Sequence, residues 1–288
     1  MAMKTSAGAH RAITPEDVPH AQRAHLKRYR TWRRFHNGPR QSGAPLLRTL
    51  SRYPDCVLVA GCQRSGTTML TRIIAGAAGF WRLALTTDDE LDAALALGGY
   101  VDLPAGRRYC FQTTYLNECY PEYRGLGPGQ RLIWVVRNPN SVVHSMVYNW
   151  KRFALDELYE FCGSLPTDRD ERRRSARLPW PFGATRAYKA CSAYAGKARQ
   201  IFAIRDLILP QQLLIVDYDG LVQSPADTLR KVFDFIGEPY EPAYANAVRA
   251  DSARKADRQP AAMRSLVEEI ATPVYRQCRE LLGQREIA

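Results

Sequence analysis

Three continuous apolar runs punctuate the chain: CVLVAG at 56–61, RLIWVVR at 131–137 and QLLIVDY at 212–218. A run without polar alternation fits a strand buried on both faces, as in a parallel sheet. Between and after the runs, apolar residues recur at three- and four-residue spacing. TTMLTRIIAGAAG puts Met69, Leu70, Ile73 and Ile74 on one helical face. Similar spacing marks DDELDAALAL, SVVHSMVYNWKRF, TRAYKACSAYAGKARQIFAIRDL and SPADTLRKVFDFIG, while WRLALT (81–86) reads as a second strand. Strands alternating with helices predict an α/β fold in three layers, a mostly parallel central sheet flanked by helices. In such sheets the ligand lies beyond the carboxyl ends of the strands.

Two stretches fall outside that pattern. Residues 1–45 read as a basic N-terminal extension broken by prolines and glycines, leaving 46–288 as the domain. Residues 160–183 lack periodicity, carry five arginines before Pro179-Trp180-Pro181-Phe182, and read as a lid or acceptor loop. Of the net charge of +12, eleven Lys/Arg against three acids place +8 in residues 1–55. That charge reads as a solvated, partly helical arm; contact with an anionic surface or substrate is the alternative. Beyond Tyr29, Trp32 and Phe35 no aromatics interleave with the basic residues, so no nucleic-acid partner is expected.

No run approaches the ~18 apolar residues of a membrane span, and the N-terminus has no apolar signal core. A cytoplasmic protein is the expectation, and the alanine- and arginine-rich composition hints at a bacterial source. Seven cysteines without CxxC spacing suggest neither a disulfide framework nor a metal site. Cys62 alone sits where oxidants could matter.

The chemistry concentrates at the run ends. After the first run comes Gly61-x-x-x-x-Gly66-Thr67-Thr68, a phosphate loop whose lysine is replaced by Thr67 and whose charge has moved to Arg64. A strand–loop–helix turn aims backbone N–H groups and a helix dipole at one anion. Without the lysine, this P-loop-type turn suits a ligand that has no γ-phosphate and no metal.

VAGCQRSGTTML (59–70) resembles the 5′-phosphosulfate loop of sulfotransferases that use 3′-phosphoadenosine 5′-phosphosulfate (PAPS), most closely the bacterial, Golgi and tyrosylprotein branches. The resemblance implies that Arg64, Ser65, Gly66, Thr67, Thr68 and Met69 hold the 5′-phosphate and the transferring sulfonate. RLIWVVRNPNSVVHS (131–145) is similar to that family's 3′-phosphate loop, with Arg137 at the strand end and Ser145 eight residues on. LIVDYDGLVQSPADTLRKVFDFIG (214–237) resembles a third family segment and implies Tyr218 near the adenine. RADSARK (249–255) matches loosely a segment of further donor contacts. The implied activity is transfer of a sulfonate from PAPS to a hydroxyl or amine, releasing 3′,5′-bisphosphoadenosine (PAP), with no metal. The acceptor is a small molecule, carbohydrate or lipid.

The match fails at one place. Where the family carries Lys-Ser/Thr-His or Lys-Ser/Thr-Pro, this chain has Phe111-Gln112-Thr113-Thr114. Gln112 can hydrogen-bond the transferring group but cannot offset its charge; Lys189, Lys255 or an arginine of 160–183 are the candidate substitutes. For the general base the resemblance implies an acid past the loop, and TTDDELD (86–92) offers Glu90 ahead of Asp88. The same acids read equally as a helix N-cap and first turn. If two carboxylates are paired, one is pushed up in pKa, which suits a base near neutrality. Two rivals remain: a P-loop kinase using Asp217 on Mg²⁺, and a binding protein that has lost its chemistry through Gln112. His144 reads as a helix-surface residue.

Overall fold

The computed structural model describes residues 12–161, 163, 185–249 and 259–283. Among these, six strands pair in parallel: β1 (Ala12–Ile13), β2 (Val57–Gly61), β3 (Phe80–Leu83), β4 (Arg108–Gln112), β5 (Arg131–Val136) and β6 (Leu213–Asp217). Their order is β1-β3-β4-β2-β5-β6. The helices are α1 (Arg23–Arg28), α2 (Trp32–Phe35), α3 (Thr67–Ala75), α4 (Asp89–Leu97), α5 (Tyr120–Tyr123) and α6 (Pro139–Tyr148), followed by α7 (Arg152–Phe161) and α8 (Arg186–Arg205). The last four are α9 (Tyr218–Gln223), α10 (Pro225–Ile236), α11 (Ala261–Leu266) and α12 (Thr272–Gly283).

The three apolar runs became β2, β5 and β6, the central and flanking strands. Because side chains alternate across a sheet, each run feeds two cores. Val57, Val59, Ile133 and Val135 enter one, packed by Leu70, Ile73 and Ile74 of α3 and by Leu229, Val232 and Phe233 of α10. Leu58, Ala60, Leu132, Trp134 and Val136 enter the other, against α4, α6, α7 and α8. Each such aliphatic or aromatic side chain contributes roughly 1.5–3 kcal/mol when fully buried. α10 stops at Gly237, whose φ of 71° is the left-handed conformation that favours glycine after a helix.

Four departures from the sequence reading matter for the site. β4 and its RYCFQ sequence were not marked as a strand, though Cys110 and Phe111 pair with Val57 and Leu58. The expected strand at 81–86 spans Phe80–Leu83 instead. Asp92 pulls the chain out of the sheet by accepting from Leu85 N (2.9 Å) and Thr86 Oγ1 (2.6 Å). The helical stretch SVVHSMVYNWKRF is two helices, broken where Asn149 caps α6 by donating to Ser145 O.

The solvated arm is corrected as well. In residues 12–47, Ile13, Leu26, Tyr29, Trp32, Phe35 and Leu47 are buried in the same core as β5, while Lys27, Arg28, Arg30, Arg33 and Arg34 point outward. Apolar side chains every third residue hold the segment down, and the charge counted along the sequence belongs to its outer face. Residues 160–183 fall almost wholly outside the described residues, as does 250–258 with Lys255.

Candidate active site

Because every strand is parallel, β2, β4, β5 and β6 all end at one edge of the sheet. The loop from β2 into α3 requires its glycines. Gly61 has φ 134°, and a Cβ there would sit 2.6 Å from Val135 O on the neighbouring strand. Gly66 has φ 92°, and its Cβ would fall 2.1 Å from Cε2 of Tyr218. Between them Arg64 has φ 68°, a left-handed conformation that costs a non-glycine residue roughly 1–3 kcal/mol and concentrates at functional loops. No other non-glycine residue among those described has positive φ.

The two anion-binding motifs interlock. Arg64 Nε donates to Ser145 Oγ on α6 at 2.9 Å, and Arg137 Nη1 donates to Arg64 O at 2.9 Å. Arg137 is only 5% exposed and its guanidinium carbon lies 4.2 Å from the Tyr218 ring centroid. Desolvation pulls the Arg137 pKa down from its ordinary value while Tyr218 and Asp219 oppose that pull. Tyr218 therefore packs beneath Gly66 and Arg137.

The acids at the start of α4 form the opposite wall. Asp88 is the N-cap, its Oδ1 accepting from Glu90 N (3.0 Å) and Leu91 N (3.1 Å), and its Oδ2 accepts from Trp32 Nε1 (3.0 Å). The capping role weighed against catalysis thus belongs to Asp88. Glu90 turns inward. Its Oε1 accepts from Gln112 Nε2 at 2.5 Å, and the same amide donates to Thr67 Oγ1 at 3.0 Å. Burial, then the nearby Asp88 charge, push the Glu90 carboxyl up to about 8. Gln112 thus joins the phosphate-type loop to the buried acid.

Arg64, Gly66, Thr67, Thr68, Met69, Asp88, Glu90, Gln112, Arg137 and Ser145 line one cleft of about 900 Å³. Ser65 and Tyr218 do not line it; Ser65 is 1% exposed with an Oγ that has no hydrogen-bond partner among the described residues. Oε1 of Gln63 and of Gln112 are likewise buried and unpartnered there. Close glycine approach, a hydroxyl pair and two guanidinium groups facing one cleft fit a diphosphate-like anion.

The sequence reading missed several residues of the lining. Arg30 and Trp32 reach it from the N-terminal segment, Arg72 from α3, Lys151 from the α6–α7 break, Phe153 from the start of α7, and His144 from α6. Trp32 lies flat on Tyr115 with ring centroids 3.8 Å apart. The three-residue spacing of the buried aromatics was the available signal for Trp32. Two candidates lie elsewhere. Lys189 pairs with Asp156 at 2.8 Å, and Asp217 pairs with Arg279; neither lines the cleft. Burial pushes the Cys62 thiol up to about 12, so it stays protonated and poorly reactive. No cluster of three or more His, Cys, Asp or Glu side chains able to hold a metal occurs among the described residues.

A parallel α/β sheet with a glycine loop and two arginines at its carboxyl edge defines an α/β protein with a cleft suited to a phosphate-like anion. The chain belongs to the sulfotransferase family, whose sequence model matches residues 88–242, more than half of its length. Its chemistry is therefore sulfonate transfer. Among solved structures, the sulfotransferase domain of the curacin biosynthetic pathway is similar at 16% identity and a TM-score of 0.49, covering 81% of this chain and 98% of that one. A sulfotransferase from Alicyclobacillus acidocaldarius is similar at 14% identity and 0.48, over 80% and 96%. A mouse sulfotransferase complexed with PAP is similar at 16% identity and 0.45, over 85% and 95%. No relative is found among curated protein sequences. No helix among the described residues is long and apolar enough to cross a membrane.

Proposed function

We propose that the protein transfers a sulfonate from PAPS to a hydroxyl or amine of a small-molecule, carbohydrate or lipid acceptor, releasing PAP without a metal. PAPS supplies the activated sulfonate. The chain's own residues bind, orient and move a proton. Arg64, Thr67, Thr68 and the amides of 64–68 hold the 5′ side, and Arg137 with Ser145 holds the 3′-phosphate. Ser65 and Tyr218 support that cradle from beneath. Glu90 is the base, and Gln112 orients it against the loop.

The observation that carries the reading is the bridge from Arg64 Nε to Ser145 Oγ, closed by Arg137 Nη1 on Arg64 O. Two motifs 73 residues apart, each suited to one phosphate, meet as a single cationic surface. A P-loop kinase has no use for the second motif, and the Mg²⁺ role imagined for Asp217 competes with its pairing to Arg279. Domain boundaries follow the same reading: residues 12–47 belong to the transferase unit.

The test is calorimetric titration with PAP and, separately, with ATP and Mg²⁺. Micromolar PAP binding that weakens at least about tenfold in Arg137→Ala supports the reading, since a charge-assisted hydrogen bond is worth about 1.5–3 kcal/mol. Binding of ATP with Mg²⁺ and none of PAP overturns it.

A further inference from the structure

Lys197, on the long helix α8, is fully buried. A lysine ammonium placed in a protein interior is costly unless something there needs its charge. Among the described residues its one hydrogen-bond acceptor is the main-chain oxygen of Thr114, 2.6 Å from Nζ. A carbonyl dipole alone does not balance a full charge. A carboxyl that feels this charge is that of Glu90, whose pKa Lys197 lowers. The Thr114 hydroxyl accepts from Gln63 Nε2 at 3.1 Å, Gln63 and Glu90 line the same cleft, and Gln112, two residues before Thr114 at the same strand end, donates to Glu90 Oε1 at 2.5 Å. Burial raises the Cys62 thiol, and Lys197 lowers it while Glu90 raises it, so both charges act on the same buried group.

Glu90 is faced from every side by named groups. Asp88 stands on its own helix; Gln63 and Arg64 come from the loop after β2; Gln112 and Thr114 come from the end of β4; Lys197 comes from α8. Gln112 is neutral. Of the two cations, Arg64 is held by Ser145 in the donor wall. Lys197 alone is buried behind the acid.

We propose that Lys197 is a positioning residue: its ammonium, anchored on the Thr114 carbonyl, is the buried countercharge that allows Glu90 to stand as a carboxylate in the cleft. It supplies from behind the site the positive charge that Gln112 cannot supply from the front. Its part in transfer rests on Glu90 being the base, whereas the electrostatic link between the two side chains does not.

The experiment measures thermal stability of the full chain at pH 6 and pH 9 for the unmodified protein, Lys197→Met, Glu90→Gln and the double variant. With its carboxyl pushed up to about 8, Glu90 is expected to be mainly protonated at pH 6 and mainly ionised at pH 9. Lys197→Met is expected to lose about 2–4 °C more in Tm at pH 9 than at pH 6. In the Glu90→Gln background that extra loss disappears. An equal loss at both pH values and in both backgrounds overturns the proposal and leaves Lys197 as a mere anchor for Thr114. Should Lys197→Met fail to fold, nitrogen NMR of the lysine side chain reads the same coupling without touching Lys197. Its signal moves with a midpoint near the Glu90 value of about 8 in the unmodified protein and is still in Glu90→Gln. A Lys197 signal that does not move in the unmodified protein also overturns the link. In turnover, loss of the countercharge moves the acid limb of the pH profile up by about one unit. If PAP does not bind while the stability coupling stands, the functional reading falls and the Lys197–Glu90 link survives.

Discussion

The two walls of the cleft are built in opposite ways. The wall proposed to hold the donor consists of two strand–turn–helix units, a glycine loop carrying Arg64 and a turn carrying Arg137, whose polar groups are near neighbours in sequence. The wall that carries the proposed base is assembled from four remote segments: Trp32, then Asp88 and Glu90, then Gln112 and Thr114, with Lys197 behind them. In the first, the chain's local path makes the site. In the second, packing makes it, and the properties of each group depend on neighbours far away in sequence. A site made by backbone is therefore sensitive to conformation, and a site made by packed charges is sensitive to pH.

The sharpest way to break that contrast is at Glu90. Replacing Glu90 with Gln keeps the shape and the contact to Gln112 but removes the base, so kcat falls by about 10²–10⁴. PAP affinity, a property of the other wall, stays within about twofold, since Glu90 touches no proposed donor group directly. With Glu90 as the proposed base, the unmodified enzyme is expected to gain activity as pH rises through about 8. Stability runs the other way. A carboxyl whose folded pKa is raised from 4.5 to about 8 favours folding fully below 4.5 and loses that contribution as pH climbs toward 8. Glu90→Gln is therefore expected to flatten the alkaline fall in Tm. If Glu90→Gln lowers PAP affinity as much as kcat, the two walls are not separable.

This division also explains what could be read from the sequence. Arg64, Gly66, Thr67, Arg137 and Ser145 were legible because spacing along one strand end and helix start fixes where they point. Buried strands announced themselves as apolar runs, while β4 did not, because Arg108 and Gln112 bracket its short apolar centre. Asp88 and Glu90 could be located but not told apart; a cap and a base differ only in which way each carboxylate turns, and tertiary packing decides that. Trp32 was hidden among exposed arginines whose charges dominated the reading of its segment. Lys197 had no signal at all, since a lysine within an alanine-rich helix reads as surface until neighbouring elements bury it.

Within the donor wall the expected loss is smaller and falls on binding. In Gly66→Ala the new methyl would meet Tyr218 Cε2 at 2.1 Å in a backbone conformation with φ 92°. Left-handed backbone costs an alanine about 1–2 kcal/mol before any collision. PAP affinity is expected to drop about 10–100-fold. Gly43→Ala is the comparison: φ is 71° there and nothing lies within 4 Å, so it carries strain without a collision. Stability falls in both variants, but PAP affinity falls only in Gly66→Ala. Equal affinities in the two would mean that the Gly66–Tyr218 contact has no part in shaping the donor wall.

The smallest effect, and the finest probe of the base wall, comes from Asp88→Asn. Asparagine is as good an N-cap as aspartate, so its side-chain oxygen can keep the bonds from Glu90 N and Leu91 N and the helix stays anchored. What changes is the charge, together with the bond from Trp32 Nε1, which the amide nitrogen in place of Oδ2 cannot accept. Asp88 is the largest cause after burial of the raised Glu90 pKa, and removing a like charge makes the neighbouring carboxylate easier to form. The Glu90 value falls below about 8, and the acid limb of the pH–rate profile moves toward lower pH by less than about one unit. Turnover near pH 7 then rises several-fold although a carboxylate has been deleted from the cleft, while the high-pH plateau changes little. A limb that stays in place would mean that the two acids do not share a field and that burial alone sets Glu90. A limb that moves upward would mean that the Asp88 carboxylate, held by Trp32, stabilises ionised Glu90 through the helix start more than it repels it. Only the first outcome makes the N-cap an electrostatic partner of the base as well as the anchor of its helix.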